Sequence, residues 1–356
     1  MSWLWTNGLL PPLAEALANS TWRRVDEGRG GGWFAQEEAG GWCSVDASGE
    51  LRPLSPFQDP GLPRAAEVVS QWLRVGHTVE LLAHRFERRM VFRVSRRGSR
   101  FIAKLYRRET SQRMRWCALA ESSAPGVSWR VPRVLGWDDD TLALQLQHVT
   151  GEAMHDRWVR GAGAREDGAL LSQLLDWLAR APIPTGLERH GASEEALVLA
   201  TECERCVRTR SRLPAGLRGL VDLVRRELES LPTPQWVVAH RDLHDKQLLC
   251  DLSGGTLIDL DLCAVAPIEL DRGNLLAHAR LRALQGLELP WSEVAAEIAS
   301  GYGAASRQPL AVWTAAALAR LALVYGRRSH RSGLLEELTS SAGSALRSEG
   351  EWGGIL

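Results

Sequence analysis

The sequence predicts an α+β chain in two lobes, a β-rich first part and a helical second part, with a small β-rich extension ahead of both. Three observations carry that expectation. Short runs rich in Trp, Val, Phe and Ile, separated by tight turns, fill residues 22–105, the pattern of strands and hairpins. Further on, Leu171, Leu174, Leu175 and Leu178 make one apolar stripe and Leu217, Leu220, Val221, Val224 and Leu228 another, both at the three- and four-residue steps of a helix face. Finally, the 356 residues suffice for two lobes and more than one compact core.

Composition excludes several classes. Lys plus Arg and Asp plus Glu both number 43, so net charge gives no case for nucleic acid or a membrane surface as partner. The start, Met1-Ser2-Trp3-Leu4-Trp5, lacks a basic segment, and Asn7, Gly8, Pro11 and Pro12 break the apolar run that follows; no signal peptide is expected. No apolar run is read as a membrane span, and the chain is expected in the cytoplasm. Six Cys in a chain of this length do not suggest a disulfide framework. The pair in Cys203-Glu204-Arg205-Cys206 lacks the second ligand pair that zinc needs. Fifteen Trp against five Phe and three Tyr are read as packing residues, with a platform for an aromatic substrate as the alternative.

Residues 1–70 form the extension. Pro12–Ala18 suits a short helix, and Trp22–Val25, Trp33–Gln36, Trp42–Val45 and Leu51–Leu54 suit strands of a small β-meander, with Gly28–Gly32, Gly40-Gly41 and Ser48-Gly49 as turns. No helix follows Gly28–Gly32, so hairpin turns, not a phosphate loop, are expected there. Pro56–Pro63 reads as a linker and Ala65–Leu73 as a helix. An N-lobe over residues 71–149 takes strands at Val79–Ala83, Met90–Val94 and Arg100–Leu105, a helix at Thr110–Ser122, and strands at Val131–Trp137 and Thr141–Val149. The turn His84–Arg89 contains no glycine. Residues 150–356 are read as the helical C-lobe, with later helices at Asn274–Leu284, Trp291–Ser300, Val312–Tyr325 and Leu334–Leu346.

Chemistry concentrates in Val237–Asp271. Two apolar runs, Trp236–Ala239 and Gln247–Cys250, bracket the polar loop His240-Arg241-Asp242-Leu243-His244-Asp245-Lys246. Gly254-Gly255 is expected to turn the chain into a third run, Thr256–Ile258, which ends in Asp259. His-Arg-Asp opens the catalytic loop of kinases, whose Asp accepts the proton of the attacking hydroxyl. Gln247 and Asp259 supply an amide oxygen and a carboxylate, the hard ligands that Mg²⁺ requires.

His240–Gln247, followed by Ile258-Asp259-Leu260-Asp261 and then Glu269-Leu270-Asp271, resembles the aminoglycoside phosphotransferase and choline kinase-like family, with elements matching in order over roughly residues 79–330. The resemblance implies a bilobal protein-kinase-like fold with ATP and Mg²⁺ as cofactors. It also implies site roles: Asp242 as the base, Lys104 on the α- and β-phosphates, and a helix carboxylate, Glu121 or else Glu109, holding Lys104. The backbone at Gln147, His148 and Val149 would meet adenine, and Gln247 and Asp259 would hold the metal. His240 and Asp271 would support the loop without touching substrate. Asp261 either helps Asp259 or faces water, and His244 either lies near the phosphates or at the surface. Arg85, Arg88 and Arg89 either contact phosphate or are solvated.

Two residues depart from the family's habit, Arg241 where Gly is commoner and Gln247 where Asn is. The segment from Asp259 to Asp271 is too short for a peptide-binding activation segment, and no Ala-Pro-Glu follows it. A small hydroxylated acceptor, aminoglycoside-, choline- or sugar-like, is therefore expected in place of a protein. The rival readings are a nucleotide-binding scaffold of weak or no activity, and an enzyme whose first 70 residues carry partner binding.

Overall fold

In the computed structural model the described residues are 22–27, 33–37, 41–45, 48, 50–55, 57–108, 129–161, 164–208, 213–251, 254–288, 290–299, 307–326 and 332–347. The expected helices Pro12–Ala18 and Thr110–Ser122, and with the latter Glu121, fall outside them. The chain divides into two compact units, one of residues 1–113, 132–149 and 209–211, the other of residues 114–131, 150–208 and 212–356.

The first unit carries two sheets. Strands β1 (Trp22–Glu27), β2 (Trp33–Glu37), β3 (Trp42–Val45) and β4 (Leu51–Pro53) pair in sequential order and antiparallel throughout. This is the meander that glycine turns between Trp-led runs predict. Helix α1 (Ala65–Arg74) buries Ala65, Val68, Val69 and Trp72, the three- and four-residue steps of one face. That face packs on Met90, Phe92, Val94, Ala103 and Leu105 of a five-stranded sheet. The sheet runs in the order β5 (Thr78–Arg85), β6 (Arg89–Arg96), β7 (Ser99–Tyr106), β10 (Ala143–Gln147), β9 (Val134–Asp138). The expected strand Val131–Trp137 is shorter at its start, since only β9 from Val134 onward is strand. Trp129–Arg130 (β8) pairs within the second unit, and β9 begins only after Pro132, which has no amide hydrogen for a ladder. Leu142, at φ 52°, lies outside β10, whose apolar side chains Leu144 and Leu146 are buried.

In the second unit β11 (Glu152–Ala153), β13 (Leu248–Asp251), β14 (Gly254–Leu257) and β8 form one sheet, and β12 (Trp236–Ala239) pairs with β15 (Ala264–Pro267). Gly254 and Gly255 were expected to make the hairpin turn, but both stand in β14, opposite Asp251 and Cys250. The reason lies in packing: a Cβ on Gly255 would sit 2.3 Å from Cζ3 of Trp129, so this glycine admits an indole against the strand.

The helices are α2 (Met154–Val159), α3 (Ala164–Arg180), α4 (Ala192–Arg208), α5 (Leu217–Ser230), α6 (Ile268–Leu284), α7 (Trp291–Ala299), α8 (Arg307–Gly326) and α9 (Ser332–Arg347). Helix α8 is apolar all round. By length and composition it would reach across a membrane, contrary to the reading that no run does, but 72% of its apolar window is buried. It is the core helix on which α4, α5 and α6 pack, as an all-round apolar helix in a folded unit should be. At Gly273 of α6 a Cβ would meet Thr314 N of α8 at 2.8 Å, so the two backbones touch there.

Candidate functional site

Strand β12 delivers the loop His240–His244, and a single 3-10 turn, Asp245–Gln247, carries the chain into β13. Asp271 in the first turns of α6 holds the loop's entry. Its Oδ2 accepts the His240 amide at 2.6 Å and its Oδ1 the Arg241 amide at 2.9 Å. Burial pushes the Asp271 carboxyl above its usual range, and His240 and the two amides pull against that. Arg241 adopts φ 69°, a region that glycine enters freely and other residues do not. Glycine would be the unstrained residue at this position. Asn274 secures the same residue by donating Nδ2 to the Arg241 carbonyl at 2.8 Å.

His240 links this loop to the next hairpin. Its Nδ1 accepts the Asp242 amide at 3.3 Å, and its Nε2 contacts the Ile258 carbonyl at 2.8 Å, so the ring proton belongs on Nε2. Ile258 is gripped a second time, its amide donating to the Gln247 carbonyl at 2.9 Å. Asp259 follows at once, with φ 63°, ahead of the 3-10 turn Leu260–Leu262 that buries Asp261. Two short bonds to one residue thus fix the backbones of Asp242, Gln247 and Asp259 relative to one another. Asp242 and Asp259 are half-buried. The Gln247 side-chain amide nitrogen lies 3.4 Å from His244 Nε2.

Two polar networks flank the loop, and the sequence reading named neither. On one side Arg320 donates to Asn274 Oδ1 at 2.5 Å and lies 3.6 Å from Glu195. Glu195 in turn meets His190 Nε2 at 2.8 Å, and the Arg241 guanidinium reaches His190 and the Leu262 carbonyl. Burial raises Glu195, but the charge of Arg320 and the contact with His190 outweigh it and bring the pKa to about 2. On the other side Arg282 clasps both oxygens of buried Asp245 at 2.9 Å, and His155 Nδ1 adds a contact at 2.5 Å. The His244 ring stacks on that of His278 at 4.6 Å, and burial lowers the pKa of both. His244, Asp245 and His278 offer ligand atoms within 4.8 Å of one another, but Arg282 already neutralises the carboxylate, which disfavours a cation there. One signal for these partners was readable: Asn274 stands three residues after Asp271 and so shares its helix face.

In the first unit Lys104 lies on β7, opposite Val91 of β6 and Leu144 of β10, and is 5% exposed. The central position removes the reading of an edge lysine pointing to water. Gln147 ends β10, its amide donating to the Arg133 carbonyl at 2.8 Å and its Oε1 accepting from Arg133 at 3.3 Å. Burial lowers His148, with Arg93 and Arg100 acting the same way. Separately, a cavity of about 890 Å³ in the second unit is lined by Asp176, Glu194, Glu229, Glu269, Trp236 and Trp313 among others. It opens at the start of β12 and so lies at the opposite end of that strand from Asp242.

Residues 78–322 match the model of a family described as the phosphotransferase enzyme family. No curated protein matches the sequence significantly. Among solved structures the chain is similar to a choline/ethanolamine kinase family protein from Mesorhizobium loti, at TM-score 0.54 and 16% identity, over 82% of this chain and 98% of that one. It is also similar to the amicoumacin kinase hAmiN, solved in complex with AMP-PNP, Ca²⁺ and Ami, at TM-score 0.56 and 15% identity over 75% and 88% of the two chains. A third is a microcompartment-associated aminopropanol kinase, at TM-score 0.54 and 16% identity over 80% and 98%. At such identities the likeness establishes the kinase-like fold.

Proposed function

Because this chain belongs to the phosphotransferase enzyme family, we propose that it transfers the γ-phosphate of ATP to a hydroxyl of a small molecule of the aminoglycoside, choline or sugar kind. The observation that carries this reading is the double grip on Ile258, from His240 Nε2 and from the Gln247 carbonyl, which fixes the base loop and the segment leading to Asp259 as one piece. Fixed positions matter because phosphoryl transfer draws its rate from alignment and charge stabilisation more than from covalent chemistry.

Asp242 accepts the proton of the acceptor hydroxyl while that oxygen bonds to the γ-phosphorus and the bond to the β-γ bridging oxygen breaks, releasing ADP. Lys104 would offset charge on the α- and β-phosphates, with a helix carboxylate, Glu121 or else Glu109, as its partner, and the backbone from Gln147 through His148 to Val149 would meet adenine. Asp259 and Gln247 would hold Mg²⁺, for which a carboxylate and an amide oxygen are suitable donors; when bound, the ion neutralises phosphate charge. Asp271 and His240 keep the loop in shape without touching substrate. The domain reading that goes with this is an extension over residues 1–70, an N-lobe over 71–149 and a C-lobe over 150–356, acting in the cytoplasm.

The competing reading is a nucleotide-binding scaffold, favoured by Gln247 and by the glycine-free turn of residues 84–89. Mg²⁺-dependent ATP binding together with slow ATP hydrolysis supports the enzyme. Nucleotide binding with no hydrolysis and no transfer across a panel of amino alcohols, aminoglycosides and sugars supports the scaffold.

A further inference from the structure

The turn between β5 and β6 sits two strands before Lys104, where kinases carry the glycine-rich loop that covers the nucleotide phosphates. Here it has no glycine, and it is held from outside. Asp59, in the linker that precedes α1, is 3% exposed. Its Oδ2 contacts His84 Nε2 at 2.7 Å and accepts the Glu87 amide at 2.9 Å, while its Oδ1 accepts the Gly61 amide at 2.8 Å. Glu87 is at φ 54°, a costly conformation for this residue that persists only where its surroundings impose it. Gly61 lies so close that a Cβ there would be 2.5 Å from Glu87 Cα. From the extension's sheet, Phe34 of β2 stacks on Phe86 at 3.9 Å, and Trp42 of β3 packs against Phe86 at 5.2 Å and His84 at 5.3 Å.

Phe86 and Glu87 of the turn, and His84 at the end of β5, are therefore gripped by a segment that lies wholly before residue 78, where the family match begins. We propose that the extension and its Asp59 linker are a clamp that fixes the glycine-free turn in its phosphate-covering shape, with Asp59 as the positioning residue. A glycine-rich loop has more backbone freedom to lose when nucleotide binds. A clamped turn is ordered already when the chain folds, and that preorganisation favours binding. The clamp rests on the reading of this chain as an ATP user, and it gives residues 22–64 a part in nucleotide binding in place of a separate partner.

The test compares affinity for ATP and for adenosine, which lacks the phosphates. The full chain and the variants Asp59→Ala, Gly61→Ala and Phe86→Leu are titrated with each ligand in Mg²⁺, with circular dichroism to verify folding. Asp59→Ala should weaken ATP by about tenfold with adenosine unchanged, and Gly61→Ala and Phe86→Leu should follow in the same direction. A merely structural clamp would lower the melting temperature and leave the ratio of the two affinities where it was, which would overturn the proposal. If Asp59→Ala does not fold, the other two variants decide by the same ratio. Wild-type protein that binds no ATP would remove the nucleotide reading and the clamp together, whereas ATP binding with an unmoved ratio in every folded variant removes the clamp alone.

Discussion

The turn at residues 84–89 and the loop at residues 240–247 lie in different units and are built alike. Each places a non-glycine residue in left-handed backbone, Glu87 at φ 54° and Arg241 at φ 69°. Each is held by a buried aspartate that takes two amide hydrogens, Asp59 those of Gly61 and Glu87, Asp271 those of His240 and Arg241. They differ in where the aspartate comes from. Asp271 lies inside the span that matches the family, and Asp59 lies before it. A carboxylate with two acceptor oxygens can stand in for glycine's freedom by stabilising a strained turn, and this chain uses the device once on family residues and once on residues of its own.

The largest effect expected from breaking this parallel is at the second loop. Asp271→Ala leaves the His240 and Arg241 amides buried without an acceptor, so unfolding in urea should show a loss of about 3 kcal/mol or more. Asp59→Ala removes a contact to His84 and the acceptor for two amides nearer the surface, and about 2 kcal/mol is expected from the same measurement. Equal losses would mean that both loops are buried to the same degree energetically.

Glu195 sharpens the comparison, because it belongs to the network of His190, Arg241 and Arg320 behind the second loop. Its folded pKa of about 2 lies below the ordinary carboxylate value, so its contribution is fully present above about pH 4.5 and is lost as pH falls toward 2. The depression corresponds to roughly 3 kcal/mol. Glu195→Gln should therefore lose stability at pH 7 and show a flatter acid limb between pH 4.5 and 2; an unchanged acid limb would mean the network is not charged. The smallest effects belong to Glu87→Gly and Arg241→Gly. Relief of left-handed strain opposes the added freedom of the unfolded chain, and melting should report changes within about 1 kcal/mol. A larger loss at Arg241 would assign weight to its side-chain contacts with His190 and Leu262.

Much of the fold was legible because its signals are local. Trp-led runs between glycine turns marked β1 to β3 and a short Leu-led run marked β4, and apolar steps marked α3, α5, α8 and α9. The sequence misled at Gly254-Gly255, where the reason for glycine is the ring of Trp129, brought there from far along the chain. Helix α4 went unread because its buried face includes Glu195, a residue that local pattern assigns to solvent. At the site, motif spacing drew attention to Asp242, Gln247 and Asp259, but not to Arg320, His190, Arg282 or Asp59, which meet the loops only through tertiary packing.

The most direct measurement is a single-turnover assay of phosphate transfer from ATP, run on wild type and Asp242→Asn with nucleotide binding measured on the same preparations. With an acceptor identified by the substrate panel, wild type transfers phosphate, and the variant binds ATP as well but transfers it at least about a thousandfold more slowly. Transfer at an undiminished rate by the folded variant would contradict the assignment of the base and, with it, the account of the loop.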